Sequence, residues 1–446
     1  MASSYKKYPD YFSSGVDWIG EIPSHWGVKR LKYIFDIKKR IAGQLGFDVL
    51  SVTQKGIIVK DIESGDGQLS MDYSKYQLVF EGDFAMNHMD LLTGYVDISC
   101  FNGVTSPDYR VFTLKDDKQF NAKYYLYLLQ MCYKQKIFFP LGQGSAHLGR
   151  WRLPTEAFNE VVYPYPSTSE QQTIANFLDH ETAKIDDLMA KQDKLIELLK
   201  EKRQAVIFHA VTKGLNPDVS VKDSGVEWLG EVPEHWNVGA LKHIVDKEKN
   251  SIVDGPFGSS VNTSEDYVDD GIPVVRTVNI TNKGFVKDNL MFMREEKFRQ
   301  LQRHSVHPND VLFSKVGTIG NACLLPSDIP EAILSTTGSC KITVERTLYL
   351  PEFLVWVIQS MNQQLMLIAN SNVQPFLNMS NIKNLTIPIP CVKEQNEIIE
   401  CTAPKLTKID YAISKSELLS STLRERKAAL ISAAVTGKID ISDWEA

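Results

Sequence analysis

At 446 residues, 43% hydrophobic and 23% charged, the chain has a water-soluble protein's composition and length for roughly two to four domains. No apolar run is long enough to cross a membrane, the N-terminal MASSYKKYPDYF lacks a signal peptide's apolar core, and the six cysteines form no CxxC pair. These features point to the reducing cytoplasm, and against a disulfide framework or a zinc site. The net charge of −6 argues against a surface coated in nucleic acid but leaves room for local basic patches.

In chain order, the first marker is Ser14–Lys32, SGVDWIGEIPSHWGVKRLK. It returns as SGVEWLGEVPEHWNVGALK at Ser224–Lys242, with twelve of nineteen positions identical. The shared Trp, His and Pro residues are read as a structural clasp, because neither copy adds a nucleophile or a carboxylate pair. Residues 36–166 alternate short β-like runs with turns: Val49–Thr53, Gly56–Val59, Leu78–Phe80 and Tyr109–Leu114. Asn121–Lys136 reads as a helix, a Gly-rich loop follows at 141–150, and Val161–Pro166 is extended.

A long amphipathic helix follows, opened by the capping-box spacing of Ser167 and Glu170 and closed by Gly214. Its expected seam is Ile185, Leu188, Leu195, Leu199 and Val206. A shift of 224 residues gives the second seam: Ile409, Ala412, Leu419, Leu423 and Leu430. Two such narrow stripes in one chain predict an antiparallel pair. Pro404 falls where an N1 proline would start the second long helix, which makes Glu394–Cys401 a separate short helix. Between the copies, 271–280 reads as a strand, 310–321 matches the segment that starts at Asp83, and Pro351–Ile368 is a helix. The fold class is therefore a duplicated mixed α/β (α+β) protein, with two domains separated by a two-helix coiled coil and related by a pseudo-two-fold.

The chain lacks a phosphate-cradling G-x-x-x-x-G-K-[ST] loop, and no G-x-G-x-x-G follows a strand, so no nucleotide cofactor is expected. His304 and His307 lack a second ligand pair, and no metal site is expected. Asp108, Asp116 and Lys118 faintly suggest a Mg²⁺ nuclease, but the corresponding strand of the other half carries no such carboxylates. What remains is polar loops at matched places in two domains, a pattern suited to double-stranded DNA. The candidate contacts are Thr53, Gln54 and Lys55, then Gln143, Ser145, His147, Arg150 and Arg152 in the first half. In the second they are Arg276, Thr277, Asn279, Lys315, Asn372 and Gln374. A protein-only coiled-coil adaptor is the alternative to a DNA reader.

The paired W-I/L-G-E-I/V-P-x-H-W segments, Gly255-Pro-Phe-Gly258, Gly271-Ile-Pro-Val-Val-Arg276 and the Ala-Val-Thr helix ends resemble the specificity subunit of type I restriction-modification systems. The resemblance implies target-recognition domains at 1–166 and 215–390, and conserved helical spacers at 167–214 and 391–446. It implies a non-catalytic subunit that reads a bipartite, asymmetric DNA site. It further implies docking of two methyltransferase subunits and of motor-nuclease subunits, all in the cytoplasm.

Overall fold

The computed structural model describes residues 5–61, 73–144, 151–370 and 375–444. The chain forms two compact units: Met1–Asp193 with Leu418–Ala446, and Lys194–Glu417. Each of the two long helices, Thr168–Lys213 and Val392–Val435, contributes one part to each unit.

Unit 1 is built on a four-stranded antiparallel sheet in the order Phe35–Lys38, Arg110–Leu114, Phe84–Met86, Val96–Ile98. The inner strand Phe84–Met86 is apolar throughout and buried at every residue, as a strand covered on both faces must be. Helix Ala122–Lys134 starts at Asn121, whose side chain accepts the Tyr124 amide, and buries Tyr124, Tyr125, Leu128, Leu129 and Cys132. Phe35, Phe84 and Phe112 fill the space beneath it with ring centroids 4.8 to 5.2 Å apart. The end of the chain returns to this unit: the Asp440 amide donates to Lys6 O (2.8 Å), and Trp444 meets Phe177 edge-on.

Unit 2 repeats this plan. Its four-stranded antiparallel sheet runs Ile252–Asp254, Ser339–Ile342, Val311–Ser314, Ala322–Leu324. Helix Pro351–Ser360 occupies the equivalent place, with Phe353, Leu354, Val357 and Ile358 fully buried. Even the polar anchor recurs. Asp83, 4% exposed, takes a bidentate pair from Arg40, and its equivalent Asp310, also 4% exposed, takes Lys341 at 3.6 Å and the Thr343 hydroxyl. The difference lies beside this core. Unit 2 adds a five-stranded mixed sheet of Tyr267–Val268, Met291–Met293, Ile272–Val275, Ala332–Leu334 and Ser305–Val306. Its one parallel pair aligns Val274 with Ile333. Unit 1 has two short ribbons instead, Leu50–Thr53 with Gly56–Val59 and Gln77–Val79 with Gly103–Thr105.

The repeated tryptophan segments clasp helix ends. In unit 1, His25 Nε2 lies 2.7 Å from Glu170 Oε1, and Trp26 Nε1 donates to the same oxygen at 3.0 Å. Glu170 also accepts the Ser167 amide and hydroxyl, completing the expected capping box. Gly437, just past the second long helix, has a φ of +69° and lies so close to Pro23 that a Cβ would stand 2.4 Å from the proline ring. In unit 2, His235 pairs with Glu394 at 2.9 Å, and Gly214 (φ +72°) packs on Trp236. Each segment thus holds the start of one long helix and the end of the other.

Two expectations about the helices are corrected. The second long helix passes through Pro404 without a break. Ile398 and Thr402 before the proline, and Leu406 and Ile409 after it, are all buried, so one face is pinned on both sides. The seam is also phased differently. Leu188, Leu195 and Leu419 are 48%, 42% and 44% exposed, and Ala412 is only half-buried. On the first helix the inward positions are Ile185, Met189, Gln192, Ile196, Leu199, Arg203, Val206 and Ala210, an unbroken alternation of four and three. On the second they are Leu406, Ile409, Ile413, Ser416, Ser420, Leu423, Lys427, Leu430 and Ala434. In unit 1, Lys427 bonds Asp186 and Ser420 contacts Asp193, so one helix number falls as the other rises and the pair is antiparallel.

Candidate nucleic-acid interface

In unit 1 the Thr53–Gly56 turn joins two strands and presents Gln54 and Lys55 at its tip. Thr53 is spent on the turn itself: its hydroxyl donates to Gly56 O (2.9 Å) and accepts the Lys55 amide (3.1 Å). Gly56 is required there, because its φ is +109° and a Cβ would fall 2.7 Å from the Asp97 carboxylate. Gln54 and Lys55 border an open polar cleft of about 660 Å³ that also takes in Asp97, Lys134, Asp186 and Lys427. Burial pushes the Asp97 carboxyl up and the Lys134 ammonium down.

The Gly-rich loop of unit 1 is closed at its neck by a pair of backbone bonds between Gln143 and Arg152, 2.8 and 3.0 Å. Both of those side chains are exposed. Trp151 stacks on Phe139 and donates to its carbonyl, which fixes the returning strand. Ser145, His147 and Arg150 lie outside the described residues, as do Asn372 and Gln374 of unit 2. Beneath the neck, burial lowers His88 to about 3 and Arg110 to about 10, and Arg110 donates to Leu153 O and Thr155 Oγ1.

In unit 2 the candidates separate into structural and presented groups. Asn279 is fully buried, accepts the Arg276 amide and donates to Val286 O, so it shapes the 276–286 turn and faces no ligand. Lys315, 6% exposed, is held by Asp254 at 2.8 Å. Both are corrected from DNA contacts to scaffold. Arg276 is half committed, donating from Nη2 to Asn289 O (2.6 Å), while Thr277 is half-buried. Around Thr277 the loops converge. A Cβ at Gly338 would meet the side chains of Thr277, Thr336 and Val316 within 4 Å, and Phe376 pairs with Val316 in an isolated β-bridge. The composition signal overlooked the apolar tips of these loops: Phe257 is 74% exposed, Val278 64% and Phe376 43%.

The nuclease alternative gains no support from geometry. Asp116 Oδ1 accepts the Lys118 amide (2.9 Å) and Ser106 Oγ accepts the Asp108 amide (3.2 Å), both local turn contacts, and among the described residues no group of three or more His, Cys, Asp or Glu side chains could hold a metal ion.

A family described as "Type I restriction modification DNA specificity domain" matches the chain twice, at residues 23–198 and 233–418. The chain belongs to this family. Both matched segments contain one four-stranded sheet, one clasp and the loops described above. As a member the chain is a DNA-recognition subunit and not a catalyst, which sets the adaptor and nuclease readings aside. Among curated relatives, the EcoBI type I specificity subunit of Escherichia coli is 27% identical over 55% of this chain and 52% of its own length. The putative MjaX specificity subunit of Methanocaldococcus jannaschii is 22% identical over 95% of this chain and 96% of its own. A chain from a solved structure of type I restriction-modification complex assembly shares the fold, with a TM-score of 0.67 at 11% identity over 93% of this chain and 98% of that one. Among the described residues, no helix is long and apolar enough to cross a membrane.

Proposed function

We propose that the chain reads a bipartite, asymmetric double-stranded DNA site, one half with each unit, and docks two methyltransferase subunits and the motor-nuclease subunits that act there. The observation that carries this reading is a duplication with unequal loops. Equivalent sheets, helices and clasps hold different surfaces: two ribbons and a Gly-rich loop in unit 1, a five-stranded sheet and apolar-tipped loops in unit 2. One scaffold bearing two unlike readers suits two unlike half-sites. Segments 1–166 and 215–390 are the target-recognition domains in this proposal, and 167–214 with 391–446 the spacer. Gln54, Lys55, Gln143 and Arg152 are the candidate contacts that the fold leaves exposed, and Thr277 is a half-buried one. The net charge of −6 suits a reader whose partners supply much of the phosphate grip. The setting is the cytoplasm, in keeping with six free cysteines.

The test is to express the chain with its methyltransferase subunit in a host without other adenine methylation and to map modified adenines. A motif of two different half-sites around a fixed unread spacer is expected. One uninterrupted motif, or methylation without sequence preference, would count against the proposal.

A further inference from the structure

The neck that Gln143 and Arg152 form in unit 1 has a counterpart in unit 2. There Asn370 and Phe376 exchange two backbone bonds, 3.0 and 3.1 Å, as Gln143 and Arg152 do at 2.8 and 3.0 Å. The next residue is anchored alike in both. The Leu153 amide donates to His88 O at 2.9 Å, the Leu377 amide donates to Lys315 O at 2.9 Å, and both leucines are fully buried. His88 and Lys315 each stand five residues after the equivalent anchors Asp83 and Asp310, so the two necks occupy one place in the repeated plan. The side chains differ: an amide and a guanidinium in unit 1, an amide and a phenyl ring in unit 2.

The backbone decides where these side chains go. Residues that exchange both bonds in an antiparallel pair send their side chains to the same face, with Cβ atoms about 5 Å apart. Leu153 and Leu377 join the cores of their units, so strand alternation turns Arg152 and Phe376 the other way. All four neck residues are exposed. Among the described residues, the side chains of Gln143, Arg152 and Asn370 make no hydrogen bond or ion pair. In unit 1 the ribbon is stiffened further, because the Trp151 ring lies against Gly142, where a Cβ would stand 2.4 Å from it.

The residue types favour base edges over phosphates. A phosphate grip calls for a cation at both necks, yet the residue that matches Arg152 is Phe376. A two-stranded ribbon fits the major groove, where Arg bonds guanine O6 and N7, Gln or Asn bonds adenine N6 and N7, and an apolar group meets the thymine methyl. Successive base pairs lie about 3.4 Å apart, within reach of two side chains on one ribbon face.

We infer that the two neck pairs are specificity-determining residues of their units. Arg152 and Gln143 read guanine and adenine edges in one half-site, and Asn370 and Phe376 read an adenine edge and a thymine methyl in the other. The inference rests on the DNA-reading proposal above and names residues and bases for it. One scaffold then serves two unlike half-sites by keeping the presentation and exchanging the pair.

The experiment measures binding of the full chain, in complex with its methyltransferase subunit, to the mapped site and to duplexes scrambled in either half-site. Wild type is compared with Arg152→Ala, Gln143→Ala, Phe376→Ala and Asn370→Ala. The readout is a ratio between half-sites within one protein, which a general loss of stability does not mimic. The two unit 1 variants are expected to lower the preference for one intact half-site roughly tenfold to a hundredfold and to leave the other unchanged, and the two unit 2 variants the reverse. In the first half-site, 7-deazaguanine, which lacks N7, should weaken wild type but not Arg152→Ala. In the second, uracil in place of thymine should weaken wild type but not Phe376→Ala. Uniform weakening on every duplex would assign these residues to phosphates and overturn the inference. Unchanged preferences, or both pairs acting on the same half-site, would overturn it as well. A wild-type complex that prefers neither half-site would instead overturn the DNA-reading proposal beneath it.

Discussion

Lys427 bonds both carboxylate oxygens of Asp186 at 2.7 Å, and 224 residues away in each direction of the repeat Arg203 bonds Asp410, also at 2.7 Å. The cation stands on the inward stripe of one helix and the acid on the flank of the other. Arg203 is the more enclosed, with 17% of its side chain exposed, and donates a second bond to Asn282 O. Arg203→Ala should therefore cost about 1–2 kcal/mol, and Lys427→Ala about 1 kcal/mol or less. In urea unfolding, the double variant Arg203→Ala/Asp410→Ala should lose less than the summed single losses. Strict additivity would show that the pair is not coupled.

The rephased seam yields a contrast. Ile413 is 2% exposed, whereas Leu195 and Leu419 are largely solvated. Ile413→Asp should destabilise by about 3–5 kcal/mol, since it removes buried apolar volume and buries an unpaired charge. Leu195→Asp together with Leu419→Asp should change the thermal midpoint little. A large loss from the exposed pair would mean that those leucines are covered within the folded protein.

How much of this was legible in the sequence follows from the same residues. The duplication and the clasp were readable because identical residues recur at fixed offsets, the capping box from its own Ser167-x-x-Glu170 spacing, and the antiparallel pairing from two narrow apolar stripes in one chain. The seam's phase was not. Leucine is the strongest apolar signal, and it drew the stripe through Leu188, Leu195 and Leu419, while the true stripe passes through Met189, Ile196, Arg203, Ile413 and Lys427. Polar residues in an inward register look like surface until the partner helix is in place. In the same way, Asn279 and Lys315 carry DNA-reading chemistry but are consumed by Val286 O and Asp254.

Pro404 is a second place where local chemistry gave way to packing. Proline removes one helical hydrogen bond and crowds the preceding turn, at about 3 kcal/mol in a helix interior. Here the helix continues because Ile398, Thr402, Leu406 and Ile409 bury the same face on either side. Pro404 itself is exposed, so alanine fits without new contacts. Pro404→Ala is expected to raise stability by about 1–3 kcal/mol, read as a higher urea midpoint. A lower midpoint would show that the proline fixes a bend the fold depends on.

The clasp gives a pH dependence. Burial alone would raise the Glu170 carboxyl, but hydrogen bonds from His25, Ser167 and Trp26 outweigh it and hold the group below the usual glutamate range. A carboxyl with a depressed pKa in the folded state stabilises above its unfolded value, near 4.3, and loses that contribution as pH falls through the folded value. Glu170→Gln cannot ionise and should lose stability at pH 7, where the wild-type carboxylate is engaged. As pH falls through the folded value the two proteins should converge, since the wild-type group then becomes protonated. Urea unfolding from pH 7 down to pH 3 tests this. A constant gap between the two curves across that range would mean that the clasp depends on the shape of the side chain and not on its charge.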